Sequence, residues 1–339
     1  MGTILVTGGA GYIGSICTVK LLEAGYDVVI FDNESTGFRK TADTLMSLGE
    51  NGKVLGYEKG DLLDIGDINS VFDKYQIDGV IHFAAFSQVA ESMKDPAKYY
   101  RNNVCGTMDL LDSMLAHGVM NIVFSSTAAT YGEPVYTPID ESHPQVPINP
   151  YGVTKLAIEK MMDDYDKAYG LRSVRLRYFN VAGADSKCRV GECHDPETHL
   201  IPNILRSTFT GGRTFKMFGT DYQTDDGTCV RDYVNVEDLA DAHILALEYL
   251  SKGGKTDFFN LGTKVGSSVK EIFAECEKVT GQKIPLDIVG RRPGDPAMLV
   301  ADNTKASKVL GWSPKRTLAD SISTAYAWEK KKRSQRTGL

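Results

Sequence analysis

Cysteine is sparse in this sequence, long apolar runs are absent, and there is no surplus of positive charge. Each shortage excludes something. Six cysteines (17, 105, 188, 193, 229 and 276) are scattered through 339 residues. That is too thin for a disulfide-stapled scaffold and suits a chain kept in a reducing cytoplasm. No apolar run approaches the ~20 residues that span a bilayer. Glycine at position 2, with no charged region before Ile4–Val6, does not read as a secretory leader. A net charge of -6 removes the electrostatic ground for a nucleic-acid partner. The one dense basic cluster, "KKKRSQR" from Lys330 to Arg336, reads as the solvated end of a terminal helix. Cys188, Cys193, His194 and His199 invite a metal reading. Yet no second cysteine pair follows, and "ADSKCRVGECHDPETH" is a polar loop, so no metal is expected.

What is present is the texture of a globular α/β protein, 42% hydrophobic and 24% charged, with length enough for one large or two intimate cores. Short β-rich runs alternate with helical stretches, as in a parallel sheet with crossover helices. "TILVTGG" is an opening strand entering a glycine turn, and 12–25 is helical. Strands follow at 27–32, before Asp61, at 78–85, 121–132 and 173–183, with helices at 64–75, 88–117 and 151–169. Beyond 183 the elements are smaller and turn-rich, with helices expected at 200–211, 236–251, 268–280 and 317–332. The pattern predicts a Rossmann-type doubly wound parallel sheet over 1–183. A smaller mixed C-terminal substrate domain would occupy 184–339, part of 230–262 returning to complete the first sheet.

"VTGGAGYIGS" sets Gly8, Gly11 and Gly14 between a strand and a helix. Such a turn lets backbone approach a pyrophosphate while the helix N-terminus offers unpaired N–H groups. Asp32 lies 24 residues beyond Gly8, close to the ~20 expected for the acid that binds a ribose. A carboxylate there would repel a 2′-phosphate, so NAD is expected over NADP. Asp61 either reaches the adenine edge or caps the helix that follows; the sequence leaves both open.

"NPYGVTKLAIEK" (149–160) then gains meaning. Tyr151 and Lys155 stand one helical turn apart and share a face. "VFSSTA" brings Ser125, Ser126 and Thr127 to the carboxyl edge of the sheet, where open α/β folds bind ligands. A tyrosine, a lysine and a hydroxyl beside a nicotinamide make a proton-and-hydride site. Lys155 and the positive ring are expected to pull the phenol toward neutrality. Thr127 either holds a substrate hydroxyl or merely satisfies the strand end.

With these residues in view the chain resembles the extended short-chain dehydrogenase/reductases, and among them the nucleotide-sugar 4-epimerases, over residues 3–328. The resemblance is carried by "TGGAGYIG" (7–14), "HFAA" (82–85), "SSTAATYG" (125–132), "PYGVTK" (150–155), "YFNVAGA" (178–184), "THLIP" (198–202), "FGTDYQTDDGTCVRDYVNVEDLA" (218–240) and "RRPGDPA" (291–297). It implies an isomerase that inverts C4 of a UDP-sugar by transient oxidation with NAD and works as a homodimer. Pairing would use the helices at 88–117 and 151–169. It makes Tyr151 the base, Lys155 its partner and Thr127 the residue that orients the 4-hydroxyl. Tyr12, Ile13, Asp32, Asn33, Asp61, Leu62, Phe83, Ala84, Ala85, Asn102 and Phe179 fall where the family holds NAD. Asn180, His199, Leu200, Phe218, Arg231, Arg292 and Asp295 fall where it holds the uridine diphosphate. Two positions depart from some relatives. Ser87 replaces a lysine directed at the NAD phosphate, and Leu299 replaces a tyrosine beside the sugar's C2 substituent, which would admit N-acetylated sugars. A related 4,6-dehydratase would show "TDEVYG" where this chain has "TAATYG". UDP-xylose or UDP-glucuronate epimerases, and a catalytically silent NAD-binding regulator, are the other readings.

Overall fold

The computed structural model describes residues 2–209, 214–291 and 296–337. Thr3–Thr7 (β1), Tyr12–Glu23 (α1), Asp27–Asp32 (β2), Arg39–Met46 (α2), Val54–Lys59 (β3), Ile65–Lys74 (α3) and Gly79–His82 (β4) open the chain. Two short helices, Val89–Ser92 (α4) and Pro96–Tyr99 (α5), lead through a π-helical turn at Tyr100–Cys105 into Gly106–Ala116 (α6). Asn121–Thr127 (β5), Pro150–Tyr169 (α7), Arg172–Tyr178 (β6) and Asn180–Ala182 (β7) follow. The rest comprises Leu200–Phe209 (α8), Phe215–Phe218 (β8), Val230–Asn235 (β9), Val236–Ser251 (α9), Asp257–Leu261 (β10), Gly266–Ser268 (β11), Val269–Thr280 (α10), Leu286–Val289 (β12), Met298–Leu299 (β13), Thr304–Leu310 (α11) and Leu318–Thr337 (α12).

Seven parallel strands form the main sheet in the order β10-β6-β5-β4-β1-β2-β3. Alternation along each strand sends side chains to opposite faces. Ile4, Val6, Val28, Ile30 and Val123 join α1 and α9 in one core. Leu5, Val29, Phe31, Ile122 and Phe124 join α3, α6 and α7 in the other. Each large apolar side chain so buried is worth about 1.5–3 kcal/mol, which makes this three-layer stack the rigid part of the molecule. The chain reverses direction across the sheet between β1 and β4, the switch point where such folds open a ligand crevice.

β10 lies beside β6 and α9 packs on α1, so the segment from Val236 to Leu261 folds back onto the N-terminal sheet. A third, smaller core gathers α8, α10 and α12. Above it β9 pairs with β7, β11 and β13, and β8 pairs with β12. The expected sixth strand at 173–183 is in fact two. β6 stays in the main sheet while β7 leaves it to pair with β9, so Asn180 is carried toward the C-terminal elements. The tail differs from the solvated end expected of it. α12 runs on to Thr337, and Lys331 and Lys332 donate to the carbonyls of Cys188 (2.7 Å) and Glu192 (2.9 Å).

Candidate active site

The glycine turn is built too tightly for any side chain. Gly8 has φ +69, and a Cβ there would stand 2.7 Å from the Ala84 nitrogen; one on Gly14 would stand 2.3 Å from the Gly8 carbonyl oxygen. Helix α1 starts without a side-chain cap and without an acid in its first turn. Its first N–H groups, at Tyr12 and Ile13, thus carry no side-chain cap and could seat a phosphate, although Gly11, Tyr12, Ile13 and Gly14 do not themselves line the cleft described next. Tyr12's own hydroxyl is engaged elsewhere, donating to the Gly183 carbonyl at 2.7 Å.

Beside this turn lies a cleft lined by Gly8, Asp32, Asn33, Asp61, Leu62, Ala84, Ala85 and Asn102, all expected there, and by Phe31, Ser35, Thr36, Gly60 and Phe86, which were not. The missed residues lie within three positions of expected ones at strand ends, the signal that could have found them. Asp32 is fixed by the Ala10 N–H (3.0 Å) and the Glu34 N–H (2.8 Å), and burial raises its pKa. A Cβ on Gly37 would fall 2.8 Å from both carboxylate oxygens, so glycine keeps that carboxylate accessible. Asp61 accepts from Asn33 (3.0 Å), whereas the cap of α3 is Asp64. The capping reading of Asp61 is therefore set aside. The residues fit a dinucleotide: an uncapped helix start for the diphosphate and a pinned acid for the ribose. Ser87 is exposed, and Ser87, Phe83 and Phe179 do not line this cleft.

α7 brings the tyrosine in. The Asn149 side chain caps the helix by accepting from Gly152 N–H at 2.8 Å, and Pro150 supplies the preset φ of the first turn. A Cβ on Gly152 would meet the Ala129 carbonyl at 2.5 Å. Only glycine lets the helix start abut the turn that follows β5. This contact sets Tyr151 against Thr127. Burial pushes the Tyr151 phenol up to about 12, an effect the Thr127 hydroxyl partly offsets. Thr127 satisfies the strand end, its hydroxyl accepting from Ala129 N–H at 3.1 Å, and it also faces the Tyr151 phenol.

Lys155 departs from expectation. It is 2% exposed, donates to the Ser125 carbonyl at 2.7 Å and stands 4.5 Å over the Phe124 ring. No hydrogen bond joins it to Tyr151 among the described residues, and burial lowers its pKa to about 7. The two share a helix face, but Tyr151 sits at the helix mouth. Lys155, one turn deeper, is drawn to the last carbonyls of β5. In this ligand-free arrangement the ammonium does not bring the phenol toward neutrality. Below it Glu159 forms a buried pair with Arg177, whose Nε lies 2.9 and 3.1 Å from the two carboxylate oxygens, and Ser126 donates to the same carboxylate. His82, held between the hydroxyls of Thr7 (2.6 Å) and Thr107 (2.9 Å), is kept neutral by burial.

On the substrate side, Asn180 on β7 pairs with Tyr233 on β9, while Leu299 on β13 pairs with Arg231. The small sheet therefore gathers Asn180, Arg231 and Leu299. Phe218 ends β8, and Leu200 begins α8. His199 is engaged with Glu192 and Glu197 rather than directed outward alone. Arg292 and Asp295 lie outside the described residues.

A dinucleotide crevice at the switch point, with Tyr and Lys one turn apart on the helix that faces the end of β5, defines a dehydrogenase/reductase of the extended short-chain class. A family model described as GDP-mannose 4,6 dehydratase matches residues 5–325. The UDP-glucose 4-epimerase of Halalkalibacterium halodurans is 52% identical over 328 residues, 96% of this chain and 95% of that one. The UDP-glucose 4-epimerase of Brucella ovis, solved in complex with NAD, superposes with a TM-score of 0.91 at 45% identity, over 96% of this chain and 98% of that one. That of Bifidobacterium longum, solved with NAD+ and UDP, gives 0.91 at 38% identity, over 98% and 99%. The chain belongs to the UDP-glucose 4-epimerase family of extended short-chain dehydrogenase/reductases.

Proposed function

We propose that this protein interconverts UDP-galactose and UDP-glucose by inverting C4, with NAD as cofactor. The observation that carries the reading is the meeting of Tyr151 and Thr127 at the carboxyl end of β5, above a cleft shaped for a dinucleotide. Relatives that share about half their residues over nearly the whole chain, and related structures holding NAD and UDP, support it.

Residues 1–183, with α9 and β10 folded back on them, would hold the cofactor, and the remainder of 184–339 the nucleotide sugar. Gly8, Gly11, Gly14 and the α1 N-terminus would seat its diphosphate, Asp32 a ribose, and Asn33, Asp61 and Leu62 the adenine side. When bound, NAD supplies a hydride acceptor and donor at C4 and, while oxidised, a positive ring. Thr127 would hold the C4 hydroxyl and pass its proton to Tyr151 as phenolate, the ionised form that the positive charge of a bound oxidised nicotinamide would favour. Asn180 and Arg231, with Leu299 beside them, anchor the uridine diphosphate end, Arg231 through directed charge-assisted bonds. The 4-keto sugar turns its other face while that anchor holds, and Tyr151 returns the proton. Binding at the distant nucleotide thus positions the reacting carbon and retains the ketone. The reaction is redox-neutral overall.

Leu299 favours acceptance of N-acetylated sugars as well, because its side chain sits on β13 next to Arg231 and carries no ring. A 4,6-dehydratase is the second reading, favoured by the description of the matching family model. Against it, Ala128 and Ala129 occupy the turn after Thr127 where an acid pair would be needed. Homodimer formation is supported by Met93, Tyr100, Met108 and Tyr169, exposed on the helices expected to pair. Six unbonded cysteines suit a cytoplasmic setting. Incubation with UDP-galactose and NAD, followed by separation of the sugar nucleotides, tests the reading. UDP-glucose supports it; a 4-keto-6-deoxy sugar would establish the dehydratase instead.

A further inference from the structure

The loop between β7 and α8 brings together Glu192, His194, Glu197 and His199, none of which takes part in the proton or hydride steps, although the family resemblance sets His199 near the uridine diphosphate. One donor atom from each lies within 4.8 Å of the other three. His194 Nδ1 is 3.0 Å from Glu192 Oε1 and 3.8 Å from Glu197 Oε1; His199 Nδ1 is 3.4 Å from Glu197 Oε1 and also contacts Glu192 Oε1. We propose that these residues form a binding site for one divalent first-row transition cation, of the zinc type. The cysteines of the same loop take no part.

Geometry separates this from a plain cluster of ion pairs. Ligands at the ~2.0–2.2 Å typical of zinc, arranged tetrahedrally, stand roughly 3.3–3.5 Å from one another, the middle of the observed range. Both histidines direct the same nitrogen at the same two carboxylate oxygens. As hydrogen bonds, both Nδ1–H groups converge on the single Glu192 Oε1, while Glu197 Oε1 stands 3.8 and 3.4 Å from the His194 and His199 ring nitrogens. As ligands, all four donor atoms lie within 4.8 Å of one another. Two imidazoles and two carboxylates also carry a charge of minus two, which a dication neutralises.

The surroundings are those of a preorganised site. Glu197 Oε2 faces Arg206 at 3.3 Å, and its Oε1 also accepts the backbone N–H groups of Thr198 and His199 at 3.0 Å each, so the carboxylate is fixed in place. The Glu192 backbone is held by Trp328 Nε1 (2.8 Å) and Lys332 Nζ (2.9 Å). Arg189, three residues earlier, ties the loop to Glu23 and Glu50 of the first domain. Both carboxylates are buried, while the His199 side chain is 53% exposed and leaves an entry path. The ion would brace a junction, since the Tyr12 ring sits edge-on to His194 at 6.2 Å and His199 immediately precedes α8. It would thereby link the cofactor turn to the substrate side.

The test uses the full chain, purified without a histidine tag, stripped with chelator and titrated with Zn²⁺ and with Co²⁺. The expected result is one ion per chain by elemental analysis, with a visible Co²⁺ spectrum lacking thiolate charge transfer. H194A and E192Q should each weaken binding at least tenfold, and C188S/C193S should leave it unchanged. Zn²⁺ should raise the melting temperature of the wild type but not of H194A. Since the wild-type Co²⁺ spectrum needs no variant to fold, it stands alone as evidence. Failure of the wild type to retain either ion would overturn the proposal. So would a thiolate band, or retention unaffected in both H194A and E192Q.

Discussion

Replacing Lys155 by methionine should make the NAD-free protein more stable at neutral pH while disabling it as an enzyme. The ammonium is 2% exposed, with a carbonyl, an aromatic face and the charge of Glu159 as its compensation. Burial dominates and lowers its pKa from 10.5 to about 7. Between those values the unfolded chain holds a proton that the folded chain has released, so stability rises with pH across that window. Each pH unit is worth about 1.4 kcal/mol when the difference is one full proton. From pH 7.5 to 9.5 the wild type should therefore gain about 2 kcal/mol relative to K155M. Below pH 7 both states are protonated and the whole penalty is present, so K155M should exceed the wild type most clearly there. Urea denaturation of both proteins at a series of pH values measures the difference, and other titrating groups cancel in it. A wild-type-minus-variant difference that stays flat from pH 7.5 to 9.5 would refute the reasoning, because Lys155 would then keep its ordinary pKa in the fold.

Y151F should lower turnover by roughly 10²–10⁴-fold, the usual contribution of a positioned base, while leaving UDP affinity unchanged by calorimetry. T127A should cost less, on the order of tenfold, because water can replace part of a hydroxyl relay. E159Q should destabilise the fold by about 3–5 kcal/mol in urea, since it strands the Arg177 guanidinium in the core; an E159L/R177M pair should recover much of that loss. L299Y should suppress turnover of UDP-N-acetylgalactosamine while sparing UDP-galactose, measured by product chromatography with both sugars. Equal losses for the two sugars would remove Leu299 from the choice between them.

The sheet and its cofactor turn were legible because their signals are local. Alternating apolar strands, a glycine turn and an acid at the end of β2 fix one another within forty residues or so. Helices α7, α9 and α10 were also plain, each opening on a capping residue: Asn149, Asn235 or Ser268. Other features depend on contacts between distant segments. Arg175 and Arg177 lie on one face of β6 and both are buried, Arg177 held by Glu159 on α7 and by the Tyr131 hydroxyl, partners that the strand's own pattern does not reveal. The strand β12 falls within the short run at 284–289 that reads as a strand, whereas its partner β8, some seventy residues away, is too short to announce itself alone. The helical spacing of Tyr151 and Lys155 gave a shared face but not the depth at which each ends, and depth sets their ionisation. In the 188–199 loop the sequence offers two cysteines and two histidines as candidates. The side chains that converge are the two histidines with two glutamates in place of the cysteines, because an irregular loop has no period from which to read direction.

The central claim is that Tyr151 moves the proton when C4 of a UDP-sugar is inverted. Its most direct test is turnover of UDP-galactose by the wild type and by Y151F in parallel, with NAD present and the sugar nucleotides separated. The wild type should approach an equilibrium with UDP-glucose and return NAD unreduced, and Y151F should leave UDP-galactose essentially untouched while still binding UDP. Conversion by Y151F at the wild-type rate would contradict the claim.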